Sequence, residues 1–239
     1  SLYSKEQLRS SFDACVEQFP GRRPIDLRQV SPALKPMALC SDNFAVLYSQ
    51  TSKTPIVVVQ RLNAAQLLDA KDEERTNQFY ADPRVPKSGR AELSDYKGAN
   101  PAVDRGHQFP AADSPTSNSM AQSFALSNMI PQDPKSNRGA WSKIESDVRK
   151  FTKRAAGSVY VFTGPLFGPG HETIGPNKVW KPTRIFKLVY DESSGRAWAY
   201  IQPNADGRIA RPVDYATFVN STGFRLLEGV PIKGSIARP

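Results

Sequence analysis

The spacing of apolar and polar positions changes several times along this chain. Leu8, Phe12, Cys15 or Val16, and Phe19 recur three to four residues apart, the period of one helix face. Ser4-Lys5-Glu6-Gln7 before them reads as a capping box, and Pro20-Gly21 closes the run, so a helix is predicted here. Arg22 to Pro36, rich in Pro and Arg, reads as a loop. Phe44 to Tyr48 and Ile56 to Leu62 are β-branched or aromatic runs bounded by Asp42-Asn43 and Thr54-Pro55, and they predict two strands. Asn63 to Leu68 resembles a short capped helix. Asp82 to Pro101 holds Pro83, Pro86, Gly89 and Gly98 without a period, and loops of that length are often functional.

The second half carries the clearest helix. Trp141, Ile144, Val148 and Phe151 form an apolar stripe within Ser136 to Ala155, with Ser136 as its cap. Val159 to Phe162 predicts a strand closed by Gly164-Pro165. Arg184 to Tyr190 and Ala197 to Ile201 predict a hairpin around Ser193-Ser194-Gly195. Pro212 to Val219 predicts a late helix with Pro near its start. Strands and helices mix without a regular βαβ alternation, which favours α+β. No composition shift marks a boundary, so residues 1–239 are read as one domain, with 1–40 as an N-terminal extension.

Length and charge narrow the classes. The chain has 239 residues, 39% hydrophobic and 23% charged, enough to bury a core and too apolar for global disorder. No apolar run approaches the ~18 residues of a membrane span. The first residues are polar and show no leader, which fits a cytosolic chain or a mature form. The 32 Lys+Arg against 23 Asp+Glu give a net charge of +9. That excess fits a polyanionic partner, or a soluble protein that is merely basic. Cys15 and Cys40 are neither C-x-x-C nor close to His, so they form one disulfide or remain two buried thiols. Imidazole chemistry must use His107 or His171, and His171 lies in a Gly-Pro-Gly-His-Glu loop that suits a surface residue.

One constellation stands out. Asp104-Arg105-Gly106-His107 places a His near a carboxylate that orients it, an Arg that can hold a phosphate, and a Gly that permits tight backbone geometry. Downstream come Asn128-Met-Ile-Pro-Gln132, Asn137-Arg-Gly-Ala-Trp141 and Glu145. On one helix Asn137 and Glu145 are about 80° and ~12 Å apart, too far for both to ligate an ion directly. Glu145 leans back toward Asn137 and would reach it through metal-bound water, which Mg²⁺ tolerates. Taken singly, Asn137 is a helix cap, Glu145 an i+4 partner of Arg149, and His107 a core residue.

Together these motifs resemble the DNA/RNA non-specific endonuclease family. Arg75-Thr-Asn-Gln-Phe-Tyr-Ala-Asp82 and Leu93-Ser-Asp-Tyr96 add to the match, which runs from about Arg75 to Arg149 and on to about Ile201. The resemblance implies a ββα-metal (His-Me finger) fold with a central, mostly antiparallel sheet flanked by helices, and a catalytic core at 75–149. It implies His107 as general base, Asn137 as the direct ligand of a hydrated Mg²⁺, and Glu145 and Asp104 acting through water or from the surroundings of the ion. Mn²⁺ or another divalent ion could substitute. Arg75, Arg105 and Arg149 match phosphate-binding positions, and Asn128 and Gln132 match supporting ones. Some relatives carry Asn four residues before Asn128. This chain has Phe124, so that polar contact is expected to be absent. Phe79, Tyr80 and Tyr96 flank the motif, as base-stacking rings or as core.

The implied activity is Mg²⁺-dependent, sugar-non-specific hydrolysis of DNA and RNA. The competing readings are a nucleic-acid-binding protein with vestigial catalysis and a phosphodiesterase of small phosphate esters. A non-specific nuclease endangers its own cell, so export, a compartment or a protein inhibitor must restrain it. The cysteine pair and the absent leader point to a secreted or periplasmic enzyme. Nothing in the sequence sets an oligomeric state.

Overall fold

The computed structural model describes residues 1–234. Its frame is a six-stranded antiparallel sheet in the order β1-β2-β3-β6-β9-β10, formed by β1 (Pro36–Cys40), β2 (Ala45–Ser49), β3 (Thr54–Leu62), β6 (Val159–Leu166), β9 (Arg184–Asp191) and β10 (Arg196–Pro203). Both faces are covered, and successive residues serve opposite cores. On β6, Val159 and Val161 face α5 (Ala140–Arg154), where Trp141, Ile144 and Val148 are buried. Tyr160 and Phe162 face the other side, with Phe12, Phe19 and Phe218 of α6 (Tyr215–Thr222). The strand continues through Gly164-Pro165, where the sequence predicts closure. A Cβ on Gly164 would lie 2.3 Å from the Ile56 carbonyl, so glycine lets two strands approach there.

Short elements join this frame: α1 (Ala64–Ala70), α2 (Leu93–Tyr96), α3 (Ser117–Ser123) and α4 (Pro134–Arg138). The ribbons β4 (Asp104–His107) with β5 (Met129–Gln132), and β7 (Thr173–Ile174) with β8 (Val179–Trp180), are separate two-stranded pairs. The predicted cap of α1 is present: Asn63 Oδ1 accepts from the Gln66 amide at 2.9 Å. The 184–203 hairpin also forms. No helix among the described residues is long and apolar enough to cross a membrane.

The N-terminal helix does not form. Both capping-box hydrogen bonds are made, from the Ser4 amide to Gln7 Oε1 (3.0 Å) and from the Gln7 amide to Ser4 Oγ (3.2 Å). Only turns and a 3₁₀ stretch at Asp13–Gln18 follow, and Cys15 leaves helical geometry at φ −142°. Cys15 is bonded to Cys40 at the end of β1, so the covalent tie and the packing of Phe12 and Phe19 override local preference. β1 lies inside the stretch read as loop and extension. Pro36 is tolerated as the first residue of an edge strand. The late helix begins at Tyr215 with Asp214 as its cap, three residues after Pro212.

Candidate active site

The site is built on the ribbon β4–β5 and the two helices that follow it. In the ribbon Asp104 pairs with Gln132, Gly106 with Ile130, and His107 with Met129. Gln132 covers Gly106 so closely that a Cβ there would lie 2.1 Å from Gln132 Oε1 and 2.8 Å from its Cβ. Asn128 fixes the chain leaving His107. Its Oδ1 accepts from the Phe109 amide (2.8 Å), and its Nδ2 donates to the carbonyls of Phe109 (3.0 Å) and Ser123 (2.9 Å). Gly106→Ala is therefore expected to destabilise the fold by about 1–3 kcal/mol, as overpacking does. Gln132→Ala in the same chain should recover part of that loss. Thermal melts of the two single variants and the double variant check this, and additive losses would contradict it.

The helix predicted over Ser136 to Ala155 is two helices. α4 is capped by Asp133, whose Oδ2 accepts from the Ser136 amide at 2.9 Å, with Pro134 in the first turn; Ser136 is not the cap. The chain then breaks at Gly139 (φ −115°, ψ −106°), where a Cβ would lie 2.6 Å from the Lys135 carbonyl oxygen. The separation reckoned along one continuous helix therefore does not hold. Asn137 and Glu145 stand on different helices and line the same cavity as His107, Arg75, Arg105 and Arg149, of about 220 Å³. Asp104 lines an adjoining one with Asn137 and Arg105.

His107 is buried, and its Nε2 has no hydrogen-bond partner among the described residues. The imidazole packs edge-on against Phe124 (4.7 Å between centroids) and Phe79 (5.6 Å). The Arg75 guanidinium lies over Phe124 at 5.1 Å and that of Arg105 over Phe79 at 3.8 Å. Two cations thus stack on the rings that hold the His. Burial, then Arg75 and Arg105, push the His107 pKa from 6.5 to about 3, so it is neutral at pH 7. The unfolded chain takes up that proton near 6.5 and the fold resists it down to about 3. This contribution to stability is complete above 6.5 and is lost as pH falls through that window. The melting temperature of metal-free His107→Gln is expected to fall less steeply between pH 6.5 and 4 than that of the parent. Parallel acid limbs would show that His107 carries no such linkage.

Asp104 is held by three donors: Asn137 Nδ2 (2.9 Å), Arg138 Nε (3.0 Å) and Arg138 Nη2 (2.7 Å). A carboxylate only accepts, so the Asn137 amide nitrogen must face it, leaving Oδ1 at the opposite end of the amide for another partner. Glu145 does not pair with Arg149. Arg149 Nη1 instead meets Asp113 Oδ1 at 3.3 Å, and Gln60 Nε2 donates to Asp113 Oδ2 at 3.0 Å. Burial raises the Glu145 pKa from 4.5 to about 7, opposed chiefly by Lys187 and then Arg149. Lys187 lies wholly inside the molecule, bonded to Thr163 Oγ1 at 2.8 Å and 5.3 Å from the Trp141 ring. Burial lowers its pKa to about 8.

Among the described residues, no three His, Cys, Asp or Glu side chains converge closely enough to cage an ion. The available donors, Asn137 Oδ1 and the Glu145 carboxylate, are hard oxygens of residues that line one cavity. Such a set fits a cation that keeps most of its water, as Mg²⁺ does, rather than a thiolate- or imidazole-bound metal.

Some of this surrounding structure was not legible in the sequence. Asp113 gave no motif. Lys187 did give a signal, as a lone charge inside Ile185-Phe-Lys-Leu-Val189. Phe124, where some relatives carry Asn, sets a ring against His107, and the half-buried Phe79 packs on Phe124, carries the Arg105 guanidinium over its ring and lines the cavity beside Asp104. His171 stands apart from the site, 4.1 Å from the Trp180 ring.

The profile of a family described as DNA/RNA non-specific endonuclease matches residues 28–232. Human mitochondrial endonuclease G is 34% identical over 189 residues, covering 73% of this chain and 60% of that protein. The mitochondrial nuclease 1 of Schizosaccharomyces pombe is 32% identical over 211 residues, covering 77% and 64%. The mitochondrial nuclease EXOG of Danio rerio is 32% identical over 179 residues, covering 68% and 51%. The chain thus spans about half to two thirds of the length of these relatives. Among solved structures, a chain from the crystal structure of the EndoG/EndoGI complex, concerned with EndoG inhibition, superposes with a TM-score of 0.75. It is 25% identical and covers 82% of this chain and 89% of that one. The mitochondrial placement of these relatives overturns the expectation of a secreted or periplasmic enzyme. A cysteine pair reports redox conditions, not an address.

Proposed function

We infer the activity from one premise: the chain belongs to the DNA/RNA non-specific endonuclease family. The reading is divalent-metal-dependent hydrolysis of phosphodiester bonds in DNA and RNA by one nuclease domain with its catalytic core at 75–149. The observation that carries it is the meeting of His107, Asn137, Glu145 and three arginines around one cavity. These residues are scattered over 75 sequence positions or lie on separate helices, and no scaffold role requires them to converge.

In this reading His107 accepts the proton of the attacking water at a ring nitrogen. Arg75, Arg105 and Arg149 meet the phosphodiester oxygens, where planar guanidinium forks suit phosphate. The phosphodiester offsets the two arginines that depress His107, so the base strengthens when substrate is in place. Asn137 and Glu145 would hold the metal and its waters, and Asp104 fixes the orientation of Asn137. Mg²⁺, or Mn²⁺ in its stead, would supply charge stabilisation at the phosphoryl oxygens and the leaving 3′-oxygen. None of these groups reads a base edge, which accounts for weak sequence preference. The inhibitor complex of the structural relative makes a protein inhibitor a natural partner to seek.

The test is digestion of supercoiled plasmid and of total RNA with Mg²⁺ and with EDTA. Loss of both polymers in Mg²⁺ alone is the expected result. A band shift without cleavage would favour a binding protein. Cleavage of small phosphodiesters with intact polymers would favour a phosphodiesterase.

A further inference from the structure

A second cavity, of about 370 Å³, opens between the end of α1 and the last turns of α5. It continues the catalytic one, since Arg75, Ala111, Ala112 and Arg149 line both. Its floor is apolar and buried: Leu67, Ala70, Ala111 and Met120. Its rim is cationic. Lys71 follows α1 as its C-terminal cap, and Lys153 stands on α5; both are exposed. Glu73 is the one acidic residue that lines it. Glu145, Arg149 and Lys153 are four residues apart on one helix, so they share a face and step along it by ~6 Å each. Cationic residues therefore run outward from the reacting end of the catalytic cavity.

Exposed lysines on helices are usually solvated charges. Here they edge an apolar floor that shares a wall with the catalytic cavity. A nucleotide presents that same pair of features, a flat apolar base beside an anionic backbone. We propose that this cavity is a nucleotide subsite, which takes the base adjoining the scissile phosphate while Lys71 and Lys153 hold neighbouring backbone phosphates. The proposal rests on the phosphodiester-hydrolase reading and deepens it. It would make a polymer strand a better substrate than an isolated ester, because only the strand fills both cavities.

The experiment compares the parent with Lys71→Ser/Lys153→Ser by two readouts. The first is binding of a short fluorescent single-stranded oligonucleotide in EDTA across a salt series. The second is hydrolysis of thymidine 5′-p-nitrophenyl phosphate and of a long polymer by the Mg²⁺-loaded proteins. Oligonucleotide affinity is expected to fall about tenfold at low salt. The slope of log K against log salt should shrink by about 1.4, two phosphate contacts at ~0.7 each on a single strand. The KM for the polymer should rise while the small ester keeps its rate within about twofold. An unchanged slope and affinity would overturn the subsite, as would equal losses on ester and polymer. If the parent cleaves neither substrate the hydrolase reading fails, and the EDTA titrations still decide the subsite.

Discussion

His107→Ala is expected to lower kcat on plasmid DNA and on RNA by about 10²–10⁴-fold, the usual contribution of a general base. Affinity for a nucleic-acid strand should hardly move, because Arg75, Arg105 and Arg149 remain and the imidazole is neutral at pH 7. The loss should therefore sit in kcat and not in KM. The fold should persist, since the imidazole Nε2 makes no hydrogen bond among the described residues and its removal strands no partner there. The space vacated between Phe79 and Phe124 suits a small heterocycle, so added imidazole should restore part of the rate to His107→Ala. Turnover within tenfold of the parent would place the base elsewhere.

Asn137→Ala should lose about 100-fold in kcat/KM at fixed Mg²⁺. The Mg²⁺ concentration for half-maximal rate should rise about 10–100-fold, the scale at which even supporting groups affect metal sites. The variant removes the amide oxygen and the bond from Nδ2 to Asp104. Asp104 keeps both bonds from Arg138, so the ribbon and α4 remain joined. Asn137→Asp tests the same oxygen differently. It retains a hard donor but sets a second carboxylate against Asp104, and like charges at that range resist ionising together. An intermediate metal requirement is the expected outcome. A Mg²⁺ midpoint unmoved in both variants would remove Asn137 from the metal site.

The difference between the two cavities bears on both variants. Neither His107→Ala nor Asn137→Ala touches Lys71 or Lys153, so both should keep the parent's salt dependence of strand binding. The chemistry and the grip on the strand are then separable by mutation, as they are separate on α5: Glu145 in the first cavity, Lys153 in the second, Arg149 in the wall between them.

Much of this arrangement could be read from residues alone, because its determinants are local. Short β-branched and aromatic runs bounded by turn residues define β2, β3 and the 184–203 hairpin, too short and too β-branched for buried helices. Arg105, His107, Asn137 and Glu145 stand out in the sequence as candidates, and one cavity gathers them, with Asp104 in the adjoining one. What the sequence could not decide was set by partners distant along the chain. The Cys15–Cys40 bond and the aromatic packing leave a capping box with no helix behind it. Gly139 splits a stretch whose apolar stripe looks continuous, because the Lys135 carbonyl occupies the place of a Cβ. Arg149 turns to Asp113 and not to Glu145, because Gln60 from β3 holds that carboxylate in reach. Lys187 becomes a buried charge because β9 is an inner strand, paired on both sides by β6 and β10, with α5 across one face. Local preferences amount to tenths of a kcal/mol to about 1 kcal/mol per residue, whereas burying an aromatic side chain is worth several. Residue types and spacing therefore determined most of the elements and the set of candidate site residues, and long-range packing decided where the helices break and which charges meet.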